Sequence, residues 1–347
     1  MAKKSRDRKS EKGDQSSTSW EGLVVKTAGA GYWVRSDDGS RLQECKIKGK
    51  FRLKGIRTTN PVAVGDRVTV VETHRNPEAS GSDRKSENSD GTLSYITEIH
   101  PRRNYIIRKA SNLSKESHIL AANIDRAILV ATLRMPETPI IFIDRFLATC
   151  EAYDIPATIA LNKIDLLDPE DRELVDGLRY LYESLGYGFL EVSAETGAGI
   201  DALKEITKDK ISLMAGNSGV GKSSLINRLV PGLDLKTGKI SDLHRTGMHT
   251  TTFSEMITLP YGGELIDIPG VKGFGMIDFK KEEVSHYFPE IFKASRECKY
   301  ADCRHTGEPG CHVCEMVDNH YISESRYNSY LNILEELDEG EKYRKPF

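Results

Sequence analysis

The chain has 347 residues, of which 49 are Lys or Arg and 52 are Asp or Glu, giving a formal net charge of −3. A global basic field is thereby excluded, so any contact with nucleic acid must come from local patches of charge. No stretch approaches the roughly 20 apolar residues of a membrane span, and the length is enough for two or three domains.

Residues 1–19 are polar and rich in charge, a composition that predicts a disordered tail. No apolar segment follows its basic residues, so the tail lacks the pattern of a secretory signal, and we expect a cytoplasmic protein. The basic residues that outnumber the acids are Lys3, Lys4, Arg6, Arg8, Lys9 and Lys12. Two interpretations are open for them, contact with RNA phosphates or simple solubilisation.

Residues 20–106 predict an all-β domain, because short alternating runs recur between turn signals rich in glycine and proline. The runs are Gly22–Lys26, Tyr32–Arg35, Glu44–Ile47, Arg67–Val71 and Leu93–Ile99. Five short strands in about 85 residues favour a small barrel of the OB type. Residues 73–92 are polar and rich in Ser, Gly and Asn, which predicts a mobile insertion between two strands.

The predicted barrel also carries a dense run of basic residues. They are Lys46, Lys48, Lys50, Arg52, Lys54 and Arg57, with Arg102 and Arg103 at the exit of the barrel. Such a stripe suits a phosphate backbone, and OB barrels commonly bind RNA. A solvated strand face without a partner is the alternative.

Residues 107–282 follow a different rhythm, in which apolar runs alternate with helical patterns such as Asp171–Leu185 and Ile200–Ile206. The apolar runs are Ala127–Leu133, Ala157–Leu161, Phe189–Val192 and Ile211–Ala215. This alternation indicates an α/β domain with a largely parallel sheet.

Two short motifs end strands of this predicted sheet, where ligands sit in open α/β folds. The first is Asn162-Lys163-Ile164-Asp165, in which the carboxylate of Asp165 can accept from guanine N1–H and the 2-amino group together. Adenine offers neither donor. The second is Ser193-Ala194-Glu195, whose backbone could meet the guanine carbonyl. Each motif alone could be an ordinary surface turn.

A phosphate-binding loop follows, matching G-x-x-x-x-G-K-[ST] between a predicted strand and a predicted helix, Ser224–Leu229. Its residues are Gly216, Asn217, Ser218, Gly219, Val220, Gly221, Lys222 and Ser223, with Ser224 opening the helix. Glycines let backbone N–H groups curl around phosphate oxygens, and the helix N-terminus adds partial positive charge. We expect Lys222 to reach the β- and γ-phosphates and the Ser223 hydroxyl to hold Mg²⁺.

The remaining nucleotide motifs come later in the chain. Asp267-Ile268-Pro269-Gly270 follows an apolar strand, and Asp267 would meet Mg²⁺ through water. One of Thr250, Thr251 and Thr252 should act as the switch threonine on Mg²⁺ and the γ-phosphate, and we assign Thr251. The guanine motifs precede the phosphate loop, whereas common GTPases have the reverse order, so the domain is predicted to be circularly permuted.

The predicted catalytic site is incomplete. Many GTPases place a Gln after D-x-x-G to orient the attacking water, but Val271 stands there and cannot hydrogen-bond to water. We assign the role to His249, just before the switch threonines, acting with Lys222 and Thr251. The alternative is a surface histidine, with the missing group supplied by a partner.

Residues 283–347 contain a Cys/His cluster and a final helical pattern, Ser323–Leu337. Cys298, Cys303, His305 and Cys311 supply three thiolates and one imidazole, a usual set for tetrahedral structural zinc. Cys314 or His312 could replace one ligand, and four thiols without a metal remain an alternative. The helix carries apolar residues at helical spacing that predict packing against its neighbours: Tyr327, Tyr330, Leu331, Leu334 and Leu337.

The chain resembles the RsgA (YjeQ) family of bacterial small-subunit ribosome-biogenesis GTPases over roughly residues 20–340. The shared features are the permuted motif order, the sequences G-N-S-G-V-G-K-S, H-T-T-T and D-I-P-G, the barrel with G-D-R-V, and the Cys/His module. The insertion at 73–92 and the extra Cys314 depart from the family pattern. The resemblance implies that Cys298, Cys303, His305 and Cys311 bind zinc.

The resemblance further implies a cytoplasmic factor that binds the small ribosomal subunit and its rRNA late in assembly. Its hydrolysis of GTP would be slow alone and stimulated by the subunit. We therefore expect an α/β chain with an N-terminal OB-type β-barrel, a circularly permuted P-loop GTPase domain and a C-terminal zinc-binding module with helices. A GTP-dependent RNA-binding adaptor that does not hydrolyse GTP is the rival, while Asp165 argues against an ATPase.

The cofactors expected are one structural zinc per chain and magnesium bound with GTP. The partners expected are the small subunit, its rRNA and other assembly factors, with no membrane partner and a monomeric state.

Overall fold

The computed structural model describes residues 18–29, 31–47, 61–74, 92–109, 117–233, 235, 255–267 and 280–342. The first five strands close into a barrel in the order β1-β2-β3-β5-β4. They are β1 (Thr18–Ala28), β2 (Gly31–Ser36), β3 (Leu42–Ile47), β4 (Arg67–His74) and β5 (Thr92–Ile99). The alternating apolar side chains predicted from the sequence fill its core, among them Val24, Val34, Val68, Val70 and Ile96. The OB-like barrel is thus confirmed.

Two boundaries differ from those predicted. Strand β1 begins at Thr18, inside the segment assigned to the tail, because Thr18 and Ser19 pair with Glu72 and Val71 of β4. The predicted boundary after residue 106 falls inside β6 (Tyr105–Lys109), which forms an antiparallel hairpin with β7 (Ser117–Ala122). Residues 1–17 and 75–91, which include most of the predicted tail and insertion, lie outside the described residues.

The second domain is built on a six-stranded sheet in the order β10-β9-β8-β11-β13-β12, parallel except for the edge strand β12. Its strands are β8 (Arg126–Ala131), β9 (Ala157–Leu161), β10 (Gly188–Glu191), β11 (Ile211–Gly216), β12 (Met256–Thr258) and β13 (Glu264–Asp267). Its helices are α1 (Ile140–Ala152), α2 (Pro169–Ser184), α3 (Ile200–Thr207) and α4 (Lys222–Leu229). The central strands are buried on both faces, which explains their continuous apolar runs.

The G-D-R-V sequence joins the barrel to this domain. Gly65 has a φ of +93°, and an added Cβ would collide with the Ala122 carbonyl at the end of β7. The next residue, Asp66, is fully buried and accepts two hydrogen bonds of 2.6 Å from Arg102. The prediction that Arg102 contacts RNA phosphates is therefore wrong, because its guanidinium is committed to a buried ion pair.

The C-terminal module consists of a 3₁₀ segment (Lys281–Tyr287), α5 (Pro289–Ser295), α6 (His312–Asp318) and α7 (Glu324–Lys342). Its core includes Tyr330 and Leu334 of α7 and reaches Ala148 of α1, so the predicted packing of the last helix is confirmed.

One buried arginine links this module to the second domain. The guanidinium of Arg326 is fully buried and donates to Asp144 of α1 at 3.0 Å and to both oxygens of Glu290, at 2.7 and 3.2 Å. Tyr182 of α2 and Ser329 also donate to Asp144, at 3.0 and 2.6 Å. Each buried charge therefore has partners, as burial in a low-dielectric interior requires.

Across the described ranges, no helix combines the length and apolar character that crossing a bilayer would take.

Candidate functional site

The predicted nucleotide motifs meet at one edge of the six-stranded sheet. Strands β9, β10, β11 and β13 run parallel, so the segments that follow their carboxyl ends converge there. The site elements at this edge are the turn Asn162–Asp165, the turn Ser193–Glu195, the loop 216–221 and Asp267. Ligands in open α/β sheets bind in such a crevice.

The loop 216–221 connects β11 to α4, as the phosphate-loop pattern predicts. Gly221 immediately precedes the helix with a φ of +90°, and an added Cβ would collide with the side-chain amide of Asn162. Only glycine therefore permits the close approach of this loop to the neighbouring turn. Ser223 and Ser224 lie in the first turn of α4, where backbone N–H groups without helical partners suit an anion.

Lys222, the first residue of α4, forms an ion pair with Asp267, the last residue of β13. The Lys222 side chain is 5% exposed and that of Asp267 is 28% exposed. The pair thus holds a cation and a carboxylate together at the phosphate-loop end of the sheet, where phosphates and a divalent cation would need them.

Asn162 ties three elements of the site together. Its side-chain amide donates to the Val220 carbonyl at 2.8 Å, and its side-chain oxygen accepts from the Ala194 N–H at 3.1 Å. The residue is buried, with 2% of its surface exposed. The N-K-x-D turn, the S-A-E turn and the phosphate loop are therefore held in fixed relation.

Lys163 adds a second clamp from the same turn. Its ammonium donates to the Gly219 carbonyl at 2.8 Å and to the Met135 carbonyl, and its backbone is left-handed with a φ of +65°. The aliphatic part of Lys163 therefore spans from the turn after β9 to the phosphate loop.

Asp165 is exposed, and its carboxylate accepts a hydrogen bond of 2.5 Å from the Ser193 hydroxyl. That hydroxyl in turn accepts from the Thr196 N–H at 3.0 Å, which fixes its proton toward Asp165. One carboxylate oxygen is thus oriented by Ser193. The contact fixes the plane of the carboxylate, whose two oxygens suit a pair of adjacent donors such as those of guanine.

Arg228 is a site residue that the motifs did not reveal. It lies on α4 and donates to the carbonyls of Ala194 and Glu195, each at 2.7 Å, so it fixes the S-A-E turn. The only available signal was a basic residue six positions after Lys222, and nothing in that spacing predicts its partners.

The predicted catalytic and switch residues His249, Thr250, Thr251, Thr252, Gly270 and Val271 lie outside the described residues. The roles assigned to them stay predictions.

The Cys/His cluster is assembled as predicted. The ligand atoms of Cys298, Cys303, His305 and Cys311 all lie within 4.8 Å of one another. His305 Nδ1 is 3.5 Å from the Sγ atoms of both Cys298 and Cys311, and those two sulfurs are 4.0 Å apart. Tetrahedral zinc with bonds of about 2.3 Å to sulfur would need sulfurs roughly 3.8 Å apart, so the donor set fits a metal of this kind.

Neighbouring residues shape this cluster. Burial lowers the pKa of His305, which favours the neutral imidazole that binds metal. The Tyr327 hydroxyl donates to the His305 carbonyl at 2.7 Å. Burial by itself would raise the pKa of Glu308, but the backbone N–H groups of residues 304, 306 and 308 lower it to about 2. The carboxylate therefore stays ionised and pins the loop that carries His305.

The alternative ligands have other partners. Cys314 Sγ lies 3.6 Å from the Tyr327 hydroxyl, and both ring nitrogens of His312 face carboxylates, of Glu297 and Glu315. Cys298, Cys303, His305 and Cys311 are thus the four candidate ligands that the structure brings together.

Comparison with known proteins gives concordant matches. The RsgA GTPase family model matches residues 99–277, and the RsgA N-terminal domain model matches residues 21–78. Proteins named small ribosomal subunit biogenesis GTPase RsgA from Bacteroides fragilis and Porphyromonas gingivalis are each 54% identical, over 327 and 330 residues. Each alignment covers 94% of this chain and 100% of the relative.

Solved structures match as well. The crystal structure of YjeQ from Thermotoga maritima is 34% identical with a TM-score of 0.71, covering 92% of this chain and 99% of that one. The structure of YloQ, described as a circularly permuted GTPase, is 27% identical with a TM-score of 0.66, covering 97% and 100%.

Proposed function

Because the chain belongs to the RsgA family of small ribosomal subunit biogenesis GTPases, we propose that it acts in late maturation of the small ribosomal subunit in the cytoplasm. It binds the rRNA of that subunit in a nucleotide-dependent way and hydrolyses GTP to GDP and phosphate. The subunit stimulates a hydrolysis that is slow in the protein alone.

The observation that carries the choice of GTP is the Asn162–Asp165 turn. Its carboxylate is oriented by Ser193 at 2.5 Å, and its asparagine is hydrogen-bonded to the phosphate loop at 2.8 Å. A nucleotide whose base binds at Asp165 would therefore have its phosphates at the loop 216–221. Guanine presents two adjacent donors to a carboxylate, whereas adenine presents none there.

The residues divide the chemistry as follows. The backbone N–H groups of the loop and the Lys222 ammonium bind the β- and γ-phosphates. Ser223 and Thr251 would hold the magnesium that accompanies GTP, which would supply positive charge to the phosphates. Asp267 lies beside Lys222 and would accept a hydrogen bond from water on that ion. Release of Lys222 toward phosphate frees Asp267 for this role.

The slow basal rate is attributed to the residue after D-x-x-G. Val271 cannot orient water, so His249, or a group of the subunit, performs that step. Stimulation then follows when the subunit supplies the missing group or places His249 beside the attacking water.

The barrel is the proposed rRNA-binding element. Lys46 lies on β3, and the remaining basic residues of the stripe, Lys48, Lys50, Arg52, Lys54 and Arg57, follow it directly in the chain. Arg103 is 63% exposed beside Asp125 and can add one further charge. Phosphate contacts of this kind supply salt-dependent affinity.

The cluster of three cysteines and one histidine holds one structural zinc in this proposal. Four protein ligands leave no open coordination position for a substrate. We propose three functional units, a barrel, a GTPase domain and a zinc module, with the predicted bounds 20–106, 107–282 and 283–347 shifted so that they no longer cut β1, β6 and the 3₁₀ segment. Their joints are the β6–β7 hairpin and the 3₁₀ segment Lys281–Tyr287.

The test is the GTPase rate of the purified chain measured alone and with small subunits, large subunits or naked rRNA. The proposal predicts strong stimulation by small subunits and little by the other two. Equal stimulation by naked rRNA would show that RNA alone, without the assembled subunit, is the stimulating partner. No stimulation by any of the three would contradict the proposed function.

A further inference from the structure

The barrel contacts the GTPase domain at the edge of its sheet. Strand β12 is the edge strand, and the residue before it, Glu255, forms an isolated antiparallel bridge with Lys26 of barrel strand β1. The side chains of Lys26 and Glu255 are also paired at 3.1 Å. The register of β1 against β2 shifts between Val24 and Lys26, so β1 carries a bulge at the point of contact. Bulges re-aim a strand in this way.

A less exposed polar cluster lies beside that bridge. Arg35 of β2 donates to Glu264 at 2.5 Å and to the Thr258 hydroxyl at 3.0 Å. The Thr258 hydroxyl lies 3.1–3.2 Å from both oxygens of Glu264. The side chains of Arg35 and Glu264 are 29% and 11% exposed. This ion pair is therefore better shielded from solvent than the pair Lys26–Glu255, whose side chains are 39% and 59% exposed.

Apolar packing completes the contact. Leu23 and Val25 of β1 pack against the core cluster to which Met256 of β12 and Ile266 of β13 belong. The β12–β13 hairpin and the barrel thus share a core, and a backbone bridge and two ion pairs join them directly.

This hairpin connects the two nucleotide-sensing segments. The threonines 250–252 end three residues before Glu255, where the contact with β1 begins. At its other end β13 finishes at Asp267, which is paired with Lys222. Thr258 and Glu264, the two residues that Arg35 grips, are opposite each other in the hairpin register. If either nucleotide segment shifts, the hairpin must therefore either break its contacts with the barrel or move the barrel with it.

We infer that Arg35 and Lys26 are positioning residues that couple the barrel to the nucleotide site through the β12–β13 hairpin. This inference rests on the proposed function and specifies how the barrel regulates that site. RNA bound to the barrel biases the hairpin, and with it the placement of Asp267 beside Lys222. By linkage, the nucleotide biases the barrel by the same free energy.

Amide hydrogen exchange on the full chain tests the coupling without ribosomes. With a non-hydrolysable GTP analogue, compared with GDP, we expect exchange to change in peptides of β12–β13 and also in barrel peptides that contain Lys26 and Arg35. In Arg35→Glu the nucleotide-dependent change in exchange should be confined to the hairpin peptides, because the introduced carboxylate then faces the carboxylate of Glu264. The charge-swapped variant Arg35→Glu with Glu264→Arg should restore it.

A matched control is Arg41→Glu, which makes the same charge change on the barrel but breaks a pair with Glu72 inside the barrel. It should behave as the wild-type chain. The inference is overturned if nucleotide changes nothing in the wild-type barrel peptides, or if Arg35→Glu transmits the change as the wild type does. Misfolding of Arg35→Glu is recognised by loss of GTP binding, and the swapped variant then decides the question.

The same variants in the hydrolysis assay separate this inference from the proposed function. Arg35→Glu should still bind small subunits, but its stimulated kcat should be about tenfold lower than that of the wild type. The charge-swapped variant should recover the wild-type kcat. If the wild type is not stimulated, the proposed function fails, while hydrogen exchange still decides the coupling. If the wild type and Arg35→Glu are stimulated equally, the coupling fails and the proposed function stands.

Discussion

At the scale of single residues, the site depends on side chains that hold its loops in position as well as on side chains that face the ligand. Asn162 was predicted from the N-K-x-D motif as a nucleotide-site residue, and it is also the hydrogen-bonded link between three loops. Arg228 has a comparable bracing role but belongs to no motif, because its partners are backbone carbonyls whose position only the fold determines. Arg102 was misassigned for the same reason, since Asp66 lies 36 residues away in the chain.

Asp165→Asn tests the choice of base. The amide cannot accept both guanine donors, so GTP affinity should fall by at least about tenfold, the loss of a charge-assisted hydrogen bond. Affinity for xanthosine triphosphate should rise, because the new amide can donate to the 2-carbonyl of xanthine. Titration with fluorescent nucleotides measures both affinities.

The control for this variant is Asp176→Asn, which makes the same change at an exposed position of α2. It should leave both affinities unaltered. An unchanged GTP affinity in Asp165→Asn would remove Asp165 from the nucleotide site.

At the scale of elements, the strands of the barrel and the sheet could be predicted because alternation and apolar runs report burial directly. Helix α1 could not be singled out in this way. It is covered by the sheet on one side and by the C-terminal module on the other, so most of its residues are buried and its sequence lacks a polar face. The β6–β7 hairpin was missed because it belongs to the joint between two domains, where neither periodic pattern dominates.

The metal cluster gives a prediction for the C-terminal module. The purified chain should contain about one zinc per molecule, because one four-ligand set is present. Cys303→Ala should lose the metal and destabilise residues 283–347, while GTP binding survives. Elemental analysis and limited proteolysis measure the two effects.

Cys314→Ala is the matched control, since Cys314 lies beside the cluster but outside the ligand set. It should keep its zinc. If Cys303→Ala retained full zinc and unaltered protease resistance, the structural role of the metal would be refuted.

The attachment of α7 gives a second prediction at this scale. Arg326→Ala would leave Asp144 and Glu290 buried without their cation, and breaking such a buried pair costs about 3–5 kcal/mol. Chemical denaturation at fixed zinc and nucleotide concentrations measures the loss. Arg296→Ala, an exposed position over the Phe292 ring, should cost less than about 0.5 kcal/mol. A loss at Arg326 no larger than at Arg296 would show that this network does not hold the module.

At the scale of the whole molecule, the permuted order of motifs was readable from the sequence, but its structural consequence was not. The permutation moves only the guanine motifs, and the switch threonines and D-x-x-G still flank in sequence the β12–β13 hairpin at the edge of the sheet. In the structure, Arg35 and Lys26 of the barrel form ion pairs with this hairpin and with the residue before it. Arg326 joins the C-terminal module to α1. Contacts between units so distant in sequence leave no local pattern. The barrel and the zinc module therefore both rest on the domain that binds nucleotide.

The central claim is that nucleotide controls attachment to the small subunit, and the affinity of the chain for small subunits tests it most directly. The measurement compares GDP with a non-hydrolysable GTP analogue at one salt concentration, with large subunits as the control. We predict that the analogue strengthens binding to small subunits by about 5- to 150-fold, the usual range for coupled sites, and that small subunits strengthen binding of the analogue by the same factor. Equal affinities with the two nucleotides would contradict the account, because GTP hydrolysis could then not release the protein from the subunit.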